Sequence, residues 1–118
     1  MREILQRIAD GDDRAELAFD VYIHRLRSLI AAMAAAMNGL DALVFTGGVG
    51  ENSAPVRAAA VAGLRFLGVE LGPTLNASLR PDSDISAPGA QVPTLVIKAR
   101  EDVEVAREVR MVLAAPPG

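Results

Sequence analysis

Three glycines, an acid, an amide and a hydroxyl occur together in the segment Gly47-Gly48-Val49-Gly50-Glu51-Asn52-Ser53. Glycines allow a sharp turn and let a ligand approach backbone N–H groups without meeting a Cβ atom. Asn52 and Ser53 are good helix N-caps, and Pro55 fits the first turn of a helix. A helix start reached through such a turn favours phosphate or another anion. The segment therefore indicates either a nucleotide site or, more simply, a tight crossover between a strand and a helix.

A short apolar run, Ala42-Leu43-Val44-Phe45, stands directly before the glycines. Both of its faces are apolar, which predicts a buried strand of a parallel sheet. Ligands of open α/β sheets bind beyond the carboxyl ends of the strands, where the glycines would lie. The spacing lacks the lysine of a P-loop and comes closer to the dinucleotide fingerprint, with Ser53 in place of its third glycine. Glu70, about twenty residues further on, would then bind a ribose, so a Rossmann-type dinucleotide-binding module is one interpretation.

The segment from Phe45 to Ser53 also resembles the acetate kinase family motif F-T-G-G-[IV]-G-E-N-S. Other segments resemble that family in the same order along the chain. They are Met1-Arg2-Glu3, which resembles part of D-M-R-E, and then Leu64–Leu71, Ile85-Ser86, and the blocks Leu95–Ile97 and Glu101–Arg107. Agreement of several blocks in order is far more specific than the glycines alone.

The resemblance implies an α/β fold, namely a partial actin-like (ribonuclease H-like) domain with a small, mostly parallel sheet packed by helices. Acetate kinases are much longer and have two actin-like domains. Residues 1–118 resemble only the C-terminal part of the second domain. We therefore expect an incomplete piece of an acetate kinase-like protein, without the upstream segments.

The resemblance also implies that ATP is bound by the glycine segment and the residues after it, namely Gly48, Val49, Gly50, Glu51 and Asn52. Gly48 and Val49 would lie against the adenine, and the Asn52 amide offers a hydrogen bond. Arg2 corresponds to a family arginine that packs on the adenine, because a guanidinium plane stacks well on an aromatic ring. The simpler alternative for Arg2 is a solvated charge.

Glu101 corresponds to a family glutamate associated with the Mg²⁺ of MgATP, and Mg²⁺ prefers carboxylate and water oxygens. The alternative for Glu101 is an acid that favours the dipole at the start of a helix. Lys98, Ala99 and Arg100 replace the Pro, the Thr and the Asn or Asp of the family segment. A cation at Arg100 could compete with the metal ion, which puts the placement of Mg²⁺ in question.

The implied reaction is phosphoryl transfer between ATP and acetate or another short-chain acid, which depends on positioning and on neutralising negative charge. The family takes its catalytic groups from segments upstream, so no residue of this chain is assigned a catalytic role. His24, the single histidine, is predicted to be a surface or packing residue. A third interpretation is a non-catalytic domain that serves only in assembly.

Periodicity predicts four helices, a second buried strand and a loop. The helices are Met1–Ala9, Asp13–Met37, Ser53–Leu67 and Arg100–Leu113, the strand is Pro93–Lys98, and the loop is Gly72–Gly89. The second helix carries the apolar residues Leu17, Val21, Leu26, Leu29, Ile30, Met33 and Met37. Its small residues Ala31–Ala36 favour close packing on the sheet or, because the family is dimeric, contact with a second subunit as a homodimer.

Composition limits the remaining choices. The chain is 51% hydrophobic but only 3% aromatic, so its core must be aliphatic. The net charge of −3 without a basic block argues against nucleic acid and anionic membrane as partners. There is no cysteine, which excludes disulfides and thiolate catalysis. No apolar run has transmembrane length and no signal-peptide core is present, so a cytoplasmic protein is expected.

Overall fold

The computed structural model describes residues 1–78, 80 and 82–116. It contains six α-helices, one 3₁₀ turn and three short strands within those residues. In chain order these are α1 (Arg2–Ala9), α2 (Asp13–Ala36), β1 (Leu43–Phe45), α3 (Gly47–Asn52), α4 (Ala54–Ala62), the 3₁₀ turn Arg65–Leu67, α5 (Pro73–Ala77), β2 (Ser83–Asp84), β3 (Thr94–Val96) and α6 (Glu101–Ala114).

The strands form one sheet in the order β1-β3-β2. β1 and β3 are parallel, with Leu43 opposite Thr94 and Phe45 opposite Val96, which confirms the predicted parallel pair. β2 pairs with β3 in the antiparallel sense. The sheet therefore holds one parallel and one antiparallel pair, and the helices pack around it in an α/β arrangement.

The prediction of an irregular loop over Gly72–Gly89 is wrong for much of that segment, of which Leu79 and Pro81 lie outside the described residues. α5 and β2 both come from it. β2 is continued by Ile85, whose N–H donates to the Thr94 carbonyl at 2.9 Å. Pairing with distant residues thus gives order to a stretch whose local composition is typical of turns.

The core consists of aliphatic side chains around the sheet, as the composition predicts, with Phe45 the one aromatic. Its buried members are Leu43, Phe45, Ala60, Val61, Leu64, Val69, Ile85, Val92 and Val96. Val44, between two of them, is 48% exposed. The prediction that both faces of this strand are buried is therefore wrong for the face that carries Val44, whose side chain borders an open cavity beside α2.

α2 begins and ends as its sequence predicts. The Asp12 carboxylate caps the helix by accepting hydrogen bonds from the N–H groups of Arg14 at 2.9 Å and Ala15 at 3.2 Å. The Arg7 guanidinium beside it holds the pKa of Asp12 below its ordinary value. At the other end Asn38 has a φ of 59°, and Gly39 follows with a φ of 142°, as in a left-handed helix ending.

The apolar residues of α2 lie on two different surfaces. Leu26 and Ile30 pack against the core, and Ile23 and Ala34 are buried. A second set is exposed, namely Leu17, Val21, Leu29 and Met33 of α2 together with Met37 at its C-cap. We call this set the α2 stripe. His24 is exposed, as predicted.

α6 is exposed along its whole length, and none of its residues is buried. Its exposed large apolar side chains are Val103, Val105, Val109, Met111, Val112 and Leu113. Among the described residues, no helix is long and apolar enough to cross a membrane.

Candidate functional site

The glycine segment forms a short helix instead of the turn expected from its sequence. α3 begins at Gly47, which has a φ of 77° that favours glycine, and runs to Asn52. Thr46 stands at its N-cap position, so the prediction of Asn52 as a helix N-cap is wrong. Ser53 occupies the N-cap position of α4, but its side chain makes no capping hydrogen bond. The helix predicted to start at Ser53 does start there, but the glycines before it form a helix of their own instead of an open turn.

The glycines of α3 have different roles. A Cβ atom added at Gly50 would contact the Phe45 backbone at 3.4 Å, so Gly50 allows α3 to lie close to β1. A Cβ atom added at Gly48 would have nothing within 4 Å. Gly48 therefore leaves open space beside the helix, whereas Gly50 serves packing and does not line the cavities described next.

The first of two cavities beside α3 has a volume of about 250 Å³ and is here called the Arg2 cavity. It is lined by Met1, Arg2, Leu5, Gly48, Val49, Asn52, Ser53 and Pro55. The structure thus brings Arg2 to the same place as Gly48, Val49 and Asn52, although these segments are far apart in sequence. The Asn52 amide donates to the Gly48 carbonyl at 2.8 Å.

Ser53 adds a feature that the sequence analysis missed. Its hydroxyl is buried and has no hydrogen-bond partner among the described residues. A buried hydroxyl without a partner is costly, so such an atom commonly indicates an absent water or ligand. Ser53 lines the Arg2 cavity, which makes that cavity suited to a molecule with polar atoms.

The second cavity has a volume of about 320 Å³ and is here called the Glu101 cavity. Its lining is Gly47, Gly48, Glu51, Ala99, Arg100, Glu101 and Asp102. It shares Gly48 with the Arg2 cavity, so the two adjoin along α3. The Glu51 carboxylate accepts a hydrogen bond from the Ala99 N–H at 3.2 Å, which ties α3 to the segment before α6.

Arg100, the cation whose position beside Glu101 raised the question of metal competition, is paired with Asp82. The Asp82 carboxylate also accepts from the Lys98 N–H at 3.0 Å. The Arg100 guanidinium holds the pKa of Asp82 below its ordinary value, and Asp82 in turn raises the pKa of Arg100. Asp82 thus neutralises much of the charge that Arg100 brings to the Glu101 cavity.

Glu70 lies outside both cavities. It pairs with Arg65 at 3.3 Å, and it lines a separate cavity together with Val61, Leu71 and Pro73 among others. The dinucleotide interpretation needs Glu70 to contact a ribose beside the Gly48–Ser53 segment. Because the structure places it elsewhere, that interpretation is wrong.

A second group that the sequence analysis missed is the buried guanidinium of Arg57, which is 1% exposed. Its Nη1 donates to the carbonyls of Gly50 at 2.9 Å and Glu51 at 3.0 Å. Its Nε donates to the Asn76 side chain at 2.8 Å and its Nη2 to the Asn76 carbonyl at 3.0 Å. Asn76 also donates to the Ala54 carbonyl at 3.0 Å. Arg57 therefore joins the end of α3 to α5 from its place in α4.

The partners of Arg57 among the described residues are neutral oxygens, and no carboxylate pairs with it. Burial lowers the pKa of the Arg57 guanidinium, but arginine stays protonated in proteins. The end of a helix favours a cation, because its last carbonyls carry partial negative charge. Arg57 fixes the backbone of Gly50 and Glu51, and so it indirectly positions both cavities.

The geometry of the site can be compared with known proteins. The sequence profile of the acetokinase family matches residues 1–107. An acetate kinase of Synechococcus sp. (strain JA-2-3B'a(2-13)) is 55% identical over 106 residues, which cover 90% of this chain and 26% of that protein.

Solved structures give the same result. The crystal structure of Porphyromonas gingivalis acetate kinase matches with a TM-score of 0.87 and 36% identity, over 95% of this chain and 28% of that one. A propionate kinase from Francisella tularensis matches with a TM-score of 0.81 and 34% identity, over 91% and 27% of the two chains. The chain therefore spans about a quarter of the length of these relatives, and the expected partial actin-like fold is confirmed.

Replacing Arg57 with Met tests the role of the buried guanidinium in the site. We expect the free energy of unfolding to fall by about 3 kcal/mol or more, because two carbonyls and Asn76 lose a charged donor inside the protein. The measurement is urea denaturation followed by circular dichroism. Arg65→Met, which removes only the exposed pair with Glu70, is the control and should cost less than about 1 kcal/mol. Equal losses in the two variants would contradict the assigned role of Arg57.

Proposed function

The chain belongs to the acetokinase family, and from this premise we propose that it is part of a phosphotransferase acting between ATP and a short-chain carboxylate. Acetate is the first candidate for the carboxylate, and acetyl phosphate for the product. The observation that carries the proposal is the meeting of Arg2, Gly48 and Asn52 around one cavity that adjoins the cavity of Glu51 and Glu101. Phosphoryl transfer needs the nucleotide to be held in a fixed position and the charge of its phosphates to be neutralised, and two adjoining cavities would receive the two ends of one nucleotide.

In this proposal the Arg2 cavity receives the adenosine end of ATP. Gly48 offers a surface without a side chain in the way, Val49 adds an apolar side chain beside it, and the Arg2 guanidinium can stack on the base. Ser53, whose hydroxyl has no partner among the described residues, supplies a polar atom at the same wall. Gly50 belongs to the proposed site only through its packing against Phe45 and its bond to Arg57.

The Glu101 cavity receives the phosphate end together with Mg²⁺. Glu101 and Glu51 are the proposed carboxylates, and the bound ion would neutralise charge on the phosphates. Two carboxylates fit Mg²⁺, which usually keeps several waters and binds one or two carboxylates plus the phosphates of its nucleotide. Among the described residues no cluster of three or more histidine, cysteine or acidic side chains could hold a metal alone. Because Asp82 pairs with Arg100, the neighbouring cation is a weaker competitor than the sequence alone indicated.

We further propose that residues 1–118 are the C-terminal part of the second domain of such a protein. The support is the order of the matching blocks and the share of the relatives that the chain covers, 26% of the Synechococcus protein. The groups that bind the carboxylate and the transferred phosphoryl would then lie outside residues 1–118. The ATP requirement favours a cytoplasmic location.

The α2 stripe supports a homodimer. It places five large apolar side chains in contact with water, and exposed apolar patches of this kind mark interaction surfaces. The small side chains of Ala32 and Ala36, also exposed on α2, would allow two such helices to approach closely.

The first prediction from this proposal is that the 118-residue chain alone makes no acetyl phosphate. Charge-assisted hydrogen bonds to phosphate contribute on the order of 1.5–3 kcal/mol each, so loss of several lowers affinity by many powers of ten. The measurement is a hydroxamate assay with MgATP and acetate. Acetyl phosphate above the enzyme-free blank would contradict the prediction. The positive control is a chimera in which this chain replaces the matching region of the Synechococcus acetate kinase, and we expect that chimera to be active.

The second prediction concerns Glu101 in that chimera. Glu101→Ala should lower turnover by about tenfold or more, because a carboxylate that helps neutralise the phosphates is worth more than 1.4 kcal/mol. The matched control is Glu104→Ala on the same helix, since Glu104 lies outside the Glu101 cavity and approaches Arg107 at 3.9 Å. A dependence of the loss on Mg²⁺ concentration would distinguish metal binding from a structural role. Equal turnover in the two variants would refute the metal assignment.

The third prediction is self-association through the α2 stripe. Sedimentation at high micromolar concentration should show a dimer or a larger oligomer, and Met33→Glu should shift it toward monomer by placing a charge in the contact. Phe66→Glu is the control, because Phe66 is 75% exposed but lies outside α2. A monomer before any substitution, or an equal shift with Phe66→Glu, would contradict the assignment.

A further inference from the structure

The charges around the Glu101 cavity are unevenly matched to a nucleotide. Among the described residues that line it, Arg100 is the only cation, beside the carboxylates of Glu51, Glu101 and Asp102. Carboxylates repel phosphates, so a bound triphosphate needs cations or directed N–H donors to offset its charge. Mg²⁺ held by carboxylates would supply one part of that charge. Arg100 is the lining side chain that can supply another part.

The Arg100 guanidinium is held from one edge by oxygens of the protein. Its Nη1 donates to the Asp82 carboxylate at 3.2 Å and to the Lys98 carbonyl at 3.2 Å, and its Nη2 donates to the second Asp82 oxygen. Asp82 is fixed in turn, because its carboxylate accepts from the Lys98 N–H at 3.0 Å. The guanidinium is therefore held in place before any ligand binds, which lowers the entropy cost of binding one.

The opposite edge of the guanidinium is left for a ligand. A guanidinium has five N–H groups, and the bonds to Asp82 and Lys98 account for three of them. Within residues 1–78, 80 and 82–116, the Nε–H and the second Nη2–H have no partner. These two groups are adjacent and form the planar fork that matches two oxygens of a phosphate. The side chain is 50% exposed, so a ligand can reach it.

We propose that Arg100 binds the phosphate end of the nucleotide through this free edge, while Asp82 holds the opposite edge. This inference rests on the proposed function, because it deepens the role given to the Glu101 cavity. Since Asp82 offsets the charge of Arg100, the contribution of Arg100 is directed donation to phosphate oxygens more than net charge. The family segment that resembles this region has Asn or Asp at this position, so the contact is a property of this chain.

A different role for Arg100, as a competitor of Mg²⁺, would act in the opposite sense. A cation that only repels the metal weakens binding of a magnesium nucleotide, so its removal would strengthen binding. A cation that donates to the phosphates strengthens binding, so its removal would weaken it. The sign of the change therefore distinguishes the two roles.

The test compares the chimera with the Synechococcus acetate kinase with its Arg100→Asn variant. Arg100 stands at the N-cap of α6, and Asn is a good N-cap, so the variant should keep the helix. We expect the β,γ-imido analogue of ATP, with Mg²⁺, to bind about tenfold or more weakly to the variant in calorimetry, because two charge-assisted hydrogen bonds are lost. Adenosine, measured by its displacement of the analogue, lacks phosphates and should bind equally to both proteins.

Unchanged or tighter binding of the analogue to Arg100→Asn would overturn the proposal, and so would an equal loss for adenosine. The matched control is Lys98→Asn, which removes a cation two positions earlier that lies outside the cavity lining. We expect it to change affinity by less than about twofold, because exposed charges at a distance are screened by salt. A loss as large as that of Arg100→Asn would show a general charge effect and contradict the proposal.

Arg100→Lys tests the fork itself. Lysine keeps the positive charge but has no planar fork, so we expect it to recover only part of the affinity that Arg100→Asn loses. Full recovery with lysine would overturn the assigned two-point contact.

Two outcomes separate this inference from the proposed function. If Arg100→Asn weakens the analogue selectively but the chimera makes no acetyl phosphate, the Arg100 contact stands and the phosphotransferase proposal fails. If the chimera is active while Arg100→Asn binds the analogue as tightly as the unsubstituted chimera, the phosphotransferase proposal stands and the Arg100 contact is refuted.

Discussion

A buried cation held by neutral oxygens is the interaction on which the site depends. The Arg57 side chain leaves water almost completely, which costs free energy unless its N–H groups find partners. The carbonyls of Gly50 and Glu51 and both oxygens of Asn76 meet that requirement. Because these oxygens come from α3 and α5, the guanidinium fixes two short helices that would not be stable alone.

The two cavities depend on this fixed helix in different ways. The Arg2 cavity exists because α1 and α3 place Arg2 and Gly48 on the same wall. The Glu101 cavity exists because the Glu51 carboxylate binds the Ala99 N–H and Asp82 binds the Lys98 N–H, which together hold the segment between β3 and α6. Helix packing thus forms the Arg2 cavity, whereas the Glu101 cavity is formed by two carboxylates that accept hydrogen bonds from backbone N–H groups.

Features governed by local sequence could be predicted, and features governed by distant contacts could not. Asp12 and Asn38-Gly39 set the ends of α2 through local capping, and the apolar runs around Leu43 and Leu95 gave a parallel pair as expected. The exposure of Val44 depends on which elements pack beside β1, and the sequence of the strand itself does not show which elements these are. The ordering of α5 depends on Asn76 meeting Arg57, nineteen residues away in sequence. The positions of Arg2 and Glu101 beside α3 came from the family resemblance, since neither residue has a local signal for its partner.

The placement of Tyr22 has a spectroscopic consequence. The sequence has one tyrosine and no tryptophan, so Tyr22 is its only strong intrinsic fluorophore. That side chain lies on α2, at the wall of a cavity of about 340 Å³ that Val44 and Val49 also line, and it is 41% exposed. The emission of the isolated chain therefore originates at a single surface feature, and its quenching by small solutes reports how open that cavity is to water, without any label attached.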